Sequence, residues 1–409
     1  MYLTFAWRYF KAKKSANAIN IIAWVTVGVI AFATACQILV LSVFNGFEDL
    51  VKSLYSSFYT DIKIIPAKGK TFILTPAQLT TLKQQAGVSA ISMTVEERAI
   101  LQNGEMETTV FVTLKGVDEN YKLVTGVADK IVEGKFSTGS ATEPGLIVGA
   151  GIQNATALYV DRNLGSSKLT IILPKKGKVS VSDPMQSLSE GNVIATGIFT
   201  IQQEFDNKYA ITNIGFVKQQ MGFAANEYSA AEIKLAARAD MLKTQKQLSQ
   251  LLGNNYTIQT KYQQNTSLYN TMKLEKWAIY AVLTLILLIA AFNMISALTM
   301  LVLEKQKDIS VLQSMGADKR MILKIFLSEG LLLGSIGAIS GILMALLICF
   351  LQVKFHLIKL PGGSFLIDYF PVKLQATDFL LVSSTVALIA FLASWFPARK
   401  AASQLIELR

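Results

Sequence analysis

Four long runs of apolar residues divide this chain, one near its start and three in its last third. They cover residues 19–43, 277–303, 325–353 and 379–396, and Glu329 is the single charged residue within them. A helix needs roughly 20 apolar residues to cross a bilayer. The pattern therefore predicts four transmembrane helices.

The region between the first two runs, residues 44–276, follows a different pattern. Short runs of β-branched and aromatic residues, which favour strands, alternate with amphipathic stretches, which favour helices. The predicted strands are 61–65, 110–114, 169–173 and 193–201, and the predicted helices are 76–85, 151–158 and 240–252. The predicted fold class is a membrane protein with four transmembrane α-helices and a large α+β domain inserted between helices 1 and 2. The length of the insertion leaves room for two subdomains.

Apolar residues also continue at helical spacing beyond the first run. The positions are Phe44, Phe47, Val51, Leu54 and Phe58, and a weaker set, Tyr262, Tyr269 and Met272, precedes the second run. This spacing is typical of one helix face. The two extensions are predicted to form a stalk that carries motion between the bilayer and the inserted domain; the alternative is that they simply pack onto that domain.

The distribution of charge predicts the orientation in the membrane. The chain has 39 Lys and Arg against 28 Asp and Glu, and segments 1–18, 304–324 and 397–409 together hold twelve basic and four acidic residues. Because cytoplasmic loops carry an excess of Lys and Arg, these segments are predicted to be cytoplasmic, with 1–18 lying at the interface. The inserted domain and a short loop, 354–378, are then on the outer side. The basic balance thus reflects topology, and no nucleic-acid partner is expected.

No arrangement of residues indicates a catalytic centre. His356 is the sole histidine, and the two cysteines, Cys36 and Cys349, lie in apolar runs, so no metal site is expected. The segment 69–71, Gly-Lys-Thr, ends like a phosphate-binding loop, but Ile64 stands where that motif needs a glycine. Residues 33–36 loosely resemble a lipoprotein cleavage box, but the apolar run continues past them, which favours an uncleaved helix. The sequence therefore predicts that the chain is not an enzyme and binds no cofactor.

Small and polar residues mark contacts between the predicted helices. The third run carries Gly330, Gly334, Gly337 and Gly341 at spacings of four, three and four, so they share one helical stripe and predict close helix packing. Asn293 in the second run is expected to form an interhelical hydrogen bond or, alternatively, to contact a substrate. Water or Lys324 would relieve the cost of Glu329.

The segment 304–317, EKQKDISVLQSMGA, lies between two apolar runs and predicts a short amphipathic helix. Ile309, Leu312 and Met315 share a face, Gly316 is placed to end the helix, and Asp318 is placed to cap the next one. An apolar stripe with a charged end suits a groove on a partner protein. The alternative is a solvated loop.

The layout of one span, a large outer domain and three further spans resembles the FtsX-like permease family of ABC transporters. The segment 304–317 is similar to that family's cytoplasmic coupling segment. The resemblance implies that a separate ATPase dimer, which holds the ATP and Mg²⁺, engages this helix. The matching residues are Glu304, Lys305, Asp308, Ile309, Leu312, Met315 and Gly316. Residues 397–402 also resemble the family's ending, whereas the tail 404–409 departs from it.

Further stretches resemble the lipoprotein-releasing (Lol-type) branch of this family. They are 44–48, FNGFE, at the exit of the first span, and 116–118, 133–136, 145–149, 197–199 and 204–206 in the outer domain. The branch implies a permease of the bacterial inner membrane that extracts lipoproteins from the outer leaflet and passes them to a periplasmic carrier. Its partners would be a second copy or a sister permease, lipoprotein substrates, the carrier and membrane lipid.

The same resemblance implies two further sites. Residues 174–192 match a periplasmic hairpin that recruits the carrier in one subunit type, with Pro174, Pro184 and Met185 as candidate contacts; the alternative is a plain surface hairpin. Leu39, Val43 and Phe47 are expected to line the substrate cavity. The sequence leaves open whether the chain is the carrier-recruiting or the substrate-binding type. It also leaves open two other functions, a mechanotransmission efflux permease of the macrolide-exporter type and a regulatory permease that controls a cell-wall hydrolase.

Overall fold

The structure is a computed structural model that describes residues 17–161, 165–177, 187–360 and 367–403. The chain forms two compact units. In its described part, the helical unit comprises the residues up to Leu50 and those from Asn270 onward, and the inserted unit comprises Val51–Tyr269. The predicted domain limits, 44 and 276, therefore each lie a few residues outside the inserted unit. The predicted interfacial segment lies almost wholly outside the described residues.

Helices and strands of both units follow in chain order. The helices are α1 (Asn17–Phe58), α2 (Pro76–Gln84), α3 (Tyr121–Val124), α4 (Ala150–Thr156), α5 (Gln203–Asp206), α6 (Ile214–Met221), α7 (Met241–Leu252), α8 (Lys261–Gln264), α9 (Thr266–Glu304), α10 (Gln306–Ser314), α11 (Lys319–Phe355) and α12 (Ala376–Ser403). The strands are β1 (Ile62–Pro66), β2 (Phe72–Ile73), β3 (Val88–Asn103), β4 (Thr108–Val117), β5 (Ile131–Gly134), β6 (Gly145–Gly149), β7 (Val160–Asp161), β8 (Gly165–Ser166), β9 (Lys168–Pro174), β10 (Leu188–Phe199), β11 (Tyr209–Asn213), β12 (Glu227–Tyr228), β13 (Ala230–Leu235) and β14 (Tyr256–Thr260).

The helical unit is built on α1, α9, α11 and α12. These four described helices are long and apolar enough to cross a membrane. Several of their hydroxyl side chains form hydrogen bonds within their own helix: Thr26, Thr284 and Ser394 each donate to the carbonyl four residues earlier, a pattern that Ser and Thr often form in helices. Asn293 is exposed on α9 and makes no described interhelical hydrogen bond, so that prediction is wrong for the contacts within this chain.

One mixed sheet of ten strands organises the inserted unit. Its order is β14-β1-β13-β3-β4-β11-β6-β10-β5, and β9 pairs with both β10 and β3. The ladder therefore closes on itself through β3, β4, β11, β6, β10 and β9. Most of the buried side chains of these strands meet in one apolar cluster, to which α6 adds Phe216 and Val217. The sheet is continuous and the unit is compact, and a division into two subdomains, for which the length leaves room, stays a prediction.

Most predicted elements of the inserted unit lie within two residues of the observed ones. Thr75 caps α2 with a complete capping box, and Asn103 ends β3 before the turn to β4. Two ends differ. Helix α4 stops at Thr156 because Ala157 adopts a left-handed conformation, φ 49°, and β10 ends at Phe199 rather than residue 201.

Aromatic rings at the end of α1 pack into the inserted unit's interior. Helix α1 continues unbroken beyond the predicted span, and Tyr55 and Phe58 are almost fully buried there. The ring of Phe58 stacks on Phe205 with centroids 4.5 Å apart, and Tyr55 donates to Glu204 at 2.5 Å. The packing alternative for this extension is thus observed, whereas transmission of motion stays a prediction.

A cluster of two lysines and two glutamates lies beside these rings; Lys115 and Glu232 are buried, and Lys63 and Glu96 are partly exposed. Lys115, 2% exposed, contacts Glu232 at 2.6 Å and Glu96 at 3.2 Å, and Lys63 contacts Glu96 at 3.1 Å. Burial alone would lower the pKa of Lys115, but Glu232, together with Tyr121 and Glu96, outweighs it and holds this pKa well above its usual value. Each of the four side chains therefore lies within 4 Å of a group of opposite charge.

Candidate functional site

The segment 304–317 contains the helix α10, which covers less of it than the sequence predicts. Lys305 and Asp308 form an ion pair of 3.0 Å at its first turn. The helix ends at Ser314, two residues before Gly316, whose φ of 92° favours a residue without a side chain. The Asp318 carboxylate then accepts from the Met321 amide at 2.7 Å and caps α11.

The apolar residues of α10 do not share one environment. Ile309 is 3% exposed, whereas Val311 is 58% and Met315 79% exposed; Leu312 is half-buried. Ile309 packs into an apolar cluster of the helical unit. Its buried members are Leu301, Val302, Ile322, Phe326, Ala398, Ala401 and Ala402. Ile309 therefore fixes the helix to its own chain, and the surface left for a partner carries Val311 and Met315 instead of the whole predicted stripe.

The four glycines of α11 lie at two different helix contacts. A Cβ on Gly330 would meet the Ser394 side chain at 2.0 Å, and one on Gly334 would meet Ala390 at 2.6 Å, both on α12. A Cβ on Gly337 or Gly341 would instead meet α1, at 2.8 Å from Ile30 and 2.4 Å from the Ala31 carbonyl. The four glycines, which form one stripe in the sequence, thus pack against two different helices. The first two contact α12 and the last two contact α1.

An apolar groove lies between α1 and α11 in the helical unit. Its volume is about 360 Å³, within the usual range for ligand sites. From α1 it is lined by Leu39, Val40 and Val43, and from α11 by Ile348 and Cys349. Two of the three predicted cavity residues therefore line it. The third, Phe47, lies beside it, with its ring edge-on to Phe370, 5.8 Å between centroids.

The connection between α11 and α12 forms the remaining wall of this groove. We call its described part, residues 356–360 and 367–375, the strap; Ile358, Phe370 and Val372 of the strap line the groove. Gln352 of α11, 5% exposed, binds the strap through its side-chain amide. Its amide nitrogen donates to the Ile358 and Phe370 carbonyls at 3.0 and 3.2 Å, and its oxygen accepts from the Ile358 amide at 2.9 Å. With that amide engaged, the groove presents an apolar surface.

The strap is not among the elements that the sequence predicts, since 354–378 reads only as a short loop. A signal was present, because Leu357, Ile358 and Phe370 are large apolar residues in a loop where polar ones are usual. Apolar residues at that position indicate a surface that contacts lipid or covers a cavity.

The predicted hairpin is described only at its base. β9 ends at Pro174, which is exposed, and pairs with Leu188 of β10. The Lys175 amide donates to the Ser187 carbonyl at 2.8 Å. Pro184 and Met185 lie outside the described residues, as does the tail from 404 onward. Among the described residues, no group of three or more His, Cys, Asp or Glu side chains is arranged to hold a metal ion.

Comparison with known families places the two units in one class of protein. The model of the MacB-like periplasmic core domain matches residues 23–251, more than half of the chain. The model of the FtsX-like permease C-terminal region matches residues 280–406. The chain belongs to the family of FtsX-like permeases that carry a MacB-like periplasmic core domain. The resemblance and the predicted fold class are thereby confirmed.

Among curated proteins, the chain is similar over almost its whole length to lipoprotein-releasing system transmembrane proteins. It is 27% identical to LolC of Neisseria meningitidis over 96% of this chain and 95% of that protein. It is 27% identical to LolE of Haemophilus influenzae, over 97% and 96%. Similarity to the pyoverdine export protein PvdT of Pseudomonas entomophila, 27% identical, covers only 30% of this chain and 17% of that protein. Among solved structures, the periplasmic region of MacB from Actinobacillus actinomycetemcomitans gives a TM-score of 0.36 at 12% identity, over 54% of this chain and 98% of that one.

Proposed function

We propose that this chain is the permease subunit of an ABC transporter that extracts lipoproteins from the outer leaflet of a bacterial inner membrane. The substrate then passes to a periplasmic carrier, and a separate ATPase drives the cycle. The observation that carries the proposal is the similarity to the LolC and LolE proteins, which extends through both units. The match to the exporter PvdT, which covers less than a third of this chain, supports the efflux alternative less well.

In this proposal, α10 is the contact to the ATPase dimer, whose subunits hold the ATP and Mg²⁺. The exposed side chains of Val311 and Met315 offer it an apolar surface, and the Lys305–Asp308 pair orders the first turn. Ile309 anchors α10 to the bundle, so that a push on the helix reaches α9 and α11. Both termini and α10 are then cytoplasmic, as the excess of basic residues favours.

The groove beside Leu39 and Val43 is the proposed contact for an acyl chain of the lipoprotein. Its lining is apolar and lies in the membrane part of the chain. An acyl chain can therefore enter it without breaking a hydrogen bond of the protein. Each buried CH₂ contributes about 0.8 kcal/mol. The cargo starts on the outer side, so a path across the bilayer is unnecessary.

The remaining partners follow from the same proposal. The hairpin based at Pro174 is the candidate carrier contact, and a second copy or a sister permease completes the transporter. The substrate cavity of the assembled transporter would be shared between the two permeases together with membrane lipid. A nucleic-acid partner is not part of this function.

The first experiment is cross-linking of the full chain in native membranes, followed by purification in detergent. Co-recovery of an ATPase, acylated lipoproteins and a soluble carrier is expected. Recovery of an ATPase with an adaptor protein or a wall hydrolase, and without lipoproteins, would overturn the substrate and favour an efflux or a regulatory permease.

The substitution Val43→Asp tests the groove directly. A carboxylate there opposes an acyl chain, so lipoprotein release from spheroplasts should fall by about tenfold or more, since a charge in an apolar site costs several kcal/mol. Leu380→Asp is the matched control, because Leu380 is 72% exposed at the start of the fourth apolar run and does not line the groove. Both variants should still co-purify with the ATPase. Release by Val43→Asp at the wild-type rate would contradict the groove assignment.

A further inference from the structure

The strap is attached to α1 by a close backbone approach as well as by side chains. A Cβ on Gly46 would lie 2.2 Å from the Pro371 carbonyl oxygen, so a glycine is needed for the strap to lie this close. The Lys373 amide donates to the Ser42 carbonyl at 2.9 Å. The strap segment that includes Phe370 and Val372, which line the groove, is thereby held against the helix that forms the groove's other side.

A buried polar network lies at the end of this strap. Asp378, in the first turn of α12, is 6% exposed. Its carboxylate accepts from the Lys276 ammonium of α9 at 3.1 Å and from the Asn45 amide of α1 at 2.6 Å. Asn45 in turn accepts from Lys276 at 2.9 Å. Three helices that are far apart in sequence therefore meet in one closed ring of hydrogen bonds.

The network also reaches the strap itself. The Asn45 amide nitrogen lies 3.4 Å from the Lys373 carbonyl, and Asn45 is two residues beyond Val43 of the groove. Asp378 and Lys276 form a mostly buried ion pair, and such a pair is far more sensitive to the loss of one partner than an exposed one. The hydrogen bonds among these three side chains exist only while α1, α9 and α12 stay together. The network therefore fixes the position of the strap relative to these helices.

We propose that Asn45, Lys276 and Asp378 are positioning residues that hold the strap as a wall of the groove and so retain a bound acyl chain. This inference rests on the proposed function. The three residues need not touch the acyl chain. When they are intact, Phe370 and Val372 close the groove; when the helices separate, the network opens and the wall is released.

The test uses the full permease in complex with its ATPase, reconstituted in nanodiscs. The probe is a fluorescent peptide with an N-terminal acylated cysteine, and the same peptide without acyl chains measures background. The dissociation rate of the acylated peptide should rise about tenfold in Asp378→Asn and in Asn45→Ala, because a strap that is no longer held leaves one side of the groove open and the bound chain can leave faster.

A charge exchange separates positioning from general structural damage. In the double variant Lys276→Asp with Asp378→Lys, the Asn45 amide can turn over and still serve both groups, since it carries a donor and an acceptor. Its oxygen then faces the Lys373 carbonyl, so that strap contact is lost. The dissociation rate should therefore fall well below that of the single variants but remain above the wild-type value. Asp49→Asn is the matched control: Asp49 pairs with Lys373 of the strap, but both side chains are about half exposed, so its rate should be unchanged.

The outcomes separate this inference from the proposed function. Wild-type dissociation in both Asp378→Asn and Asn45→Ala, with binding lost in Val43→Asp, would overturn the positioning role and leave the proposed function standing. A double variant as defective as the single ones, yet equally well folded by near-ultraviolet circular dichroism, would also overturn it. If the wild-type complex binds the acylated and the plain peptide equally, both the inference and the acyl groove are wrong.

Discussion

The two units of this protein each bury a cluster of charges, and the clusters are built in opposite ways. In the inserted unit, Lys63, Lys115, Glu96 and Glu232 stand on the neighbouring strands β1, β4, β3 and β13 of one sheet. In the helical unit, Lys276 and Asp378 meet with the neutral Asn45, from three helices.

The difference lies in what would open each cluster. Strand register fixes cross-strand neighbours, so the four charges of the inserted unit separate only if the sheet itself breaks. The Asn45 network depends on the packing of three helices, which slide and tilt at lower cost than strands separate. The first cluster thus stabilises a rigid body, whereas the second is suited to a part that moves.

The largest expected effect is that of Lys115→Met. This substitution leaves the buried Glu232 with only Lys63, 3.8 Å away, and the loss of one partner from a buried ion pair costs about 3–5 kcal/mol. Urea unfolding of the full chain in detergent, followed by hydrogen exchange of β3 and β4, measures it. Lys70→Met is the control, since Lys70 is 80% exposed beside Glu97 and should have little effect. If the two variants were equally stable, the charge cluster would not stabilise the inserted unit, and the contrast drawn between the two clusters would be wrong.

Acid should destabilise the inserted unit through the same cluster. Burial acts to raise the pKa of Glu96, but Lys63 and Lys115 outweigh it and lower this pKa from 4.5 to about 2. Since the folded pKa is below the unfolded one, the stabilisation is complete above about pH 4.5 and is lost as the pH falls towards 2. Hydrogen exchange of β3 measured across this range should show the loss, and Glu96→Gln should flatten the dependence. If the pH dependence of exchange were the same in Glu96→Gln as in the wild type, other carboxylates would be its cause.

In the helical unit, Gly341→Val should weaken the contact between α1 and α11. A Cβ there would approach the Ala31 carbonyl to 2.4 Å, and overpacking typically costs about 1–3 kcal/mol. Gly28→Val is the control, because nothing lies within 4 Å of a Cβ at Gly28. Thermal unfolding of the detergent-solubilised chain should separate the two variants, and similar midpoints would mean that the helices adjust freely.

The smallest expected effect is that of removing an aspartate cap from the start of a helix, and each unit has one such cap. The Asp318 carboxylate accepts from the Met321 amide at 2.7 Å, and the Asp240 carboxylate accepts from the Lys243 amide at 3.0 Å. Replacing either with Ala should cost about 1 kcal/mol, seen as faster exchange in the first turn of the capped helix. Only Asp318→Ala should also lower ATP turnover, because α10 precedes it directly. Equal turnover in both variants would argue against a coupling role for this turn.

Local features of the chain were predictable from sequence. Apolar runs of the right length predict the four long helices, and Gly316 and Asp318 predict where α10 ends and α11 begins. The turn after Asn103 and the capped start of α2 follow from the same short-range rules. Each of these depends on residues within one or two turns, where the sequence itself supplies the partners.

The site was predictable only in part. Leu39 and Val43 were predicted as cavity residues and line the groove, but the stripe of Ile309, Leu312 and Met315 was expected to face one way. The structure turns Ile309 inward because α9, α11 and α12 offer it an apolar cluster. No local pattern distinguishes an apolar residue that anchors a helix from one that is left for a partner.

Sequence by itself determined the number of spans, the large insertion and the helix between the second and third spans, because hydrophobic length and helix signals act locally. Only the tertiary structure decided the closed ring of strands, the strap over the groove and the meeting of Asn45, Lys276 and Asp378. The last three residues are all more than 100 positions apart in the chain. Their partners are chosen by how helices and strands pack, which no short stretch of the chain specifies.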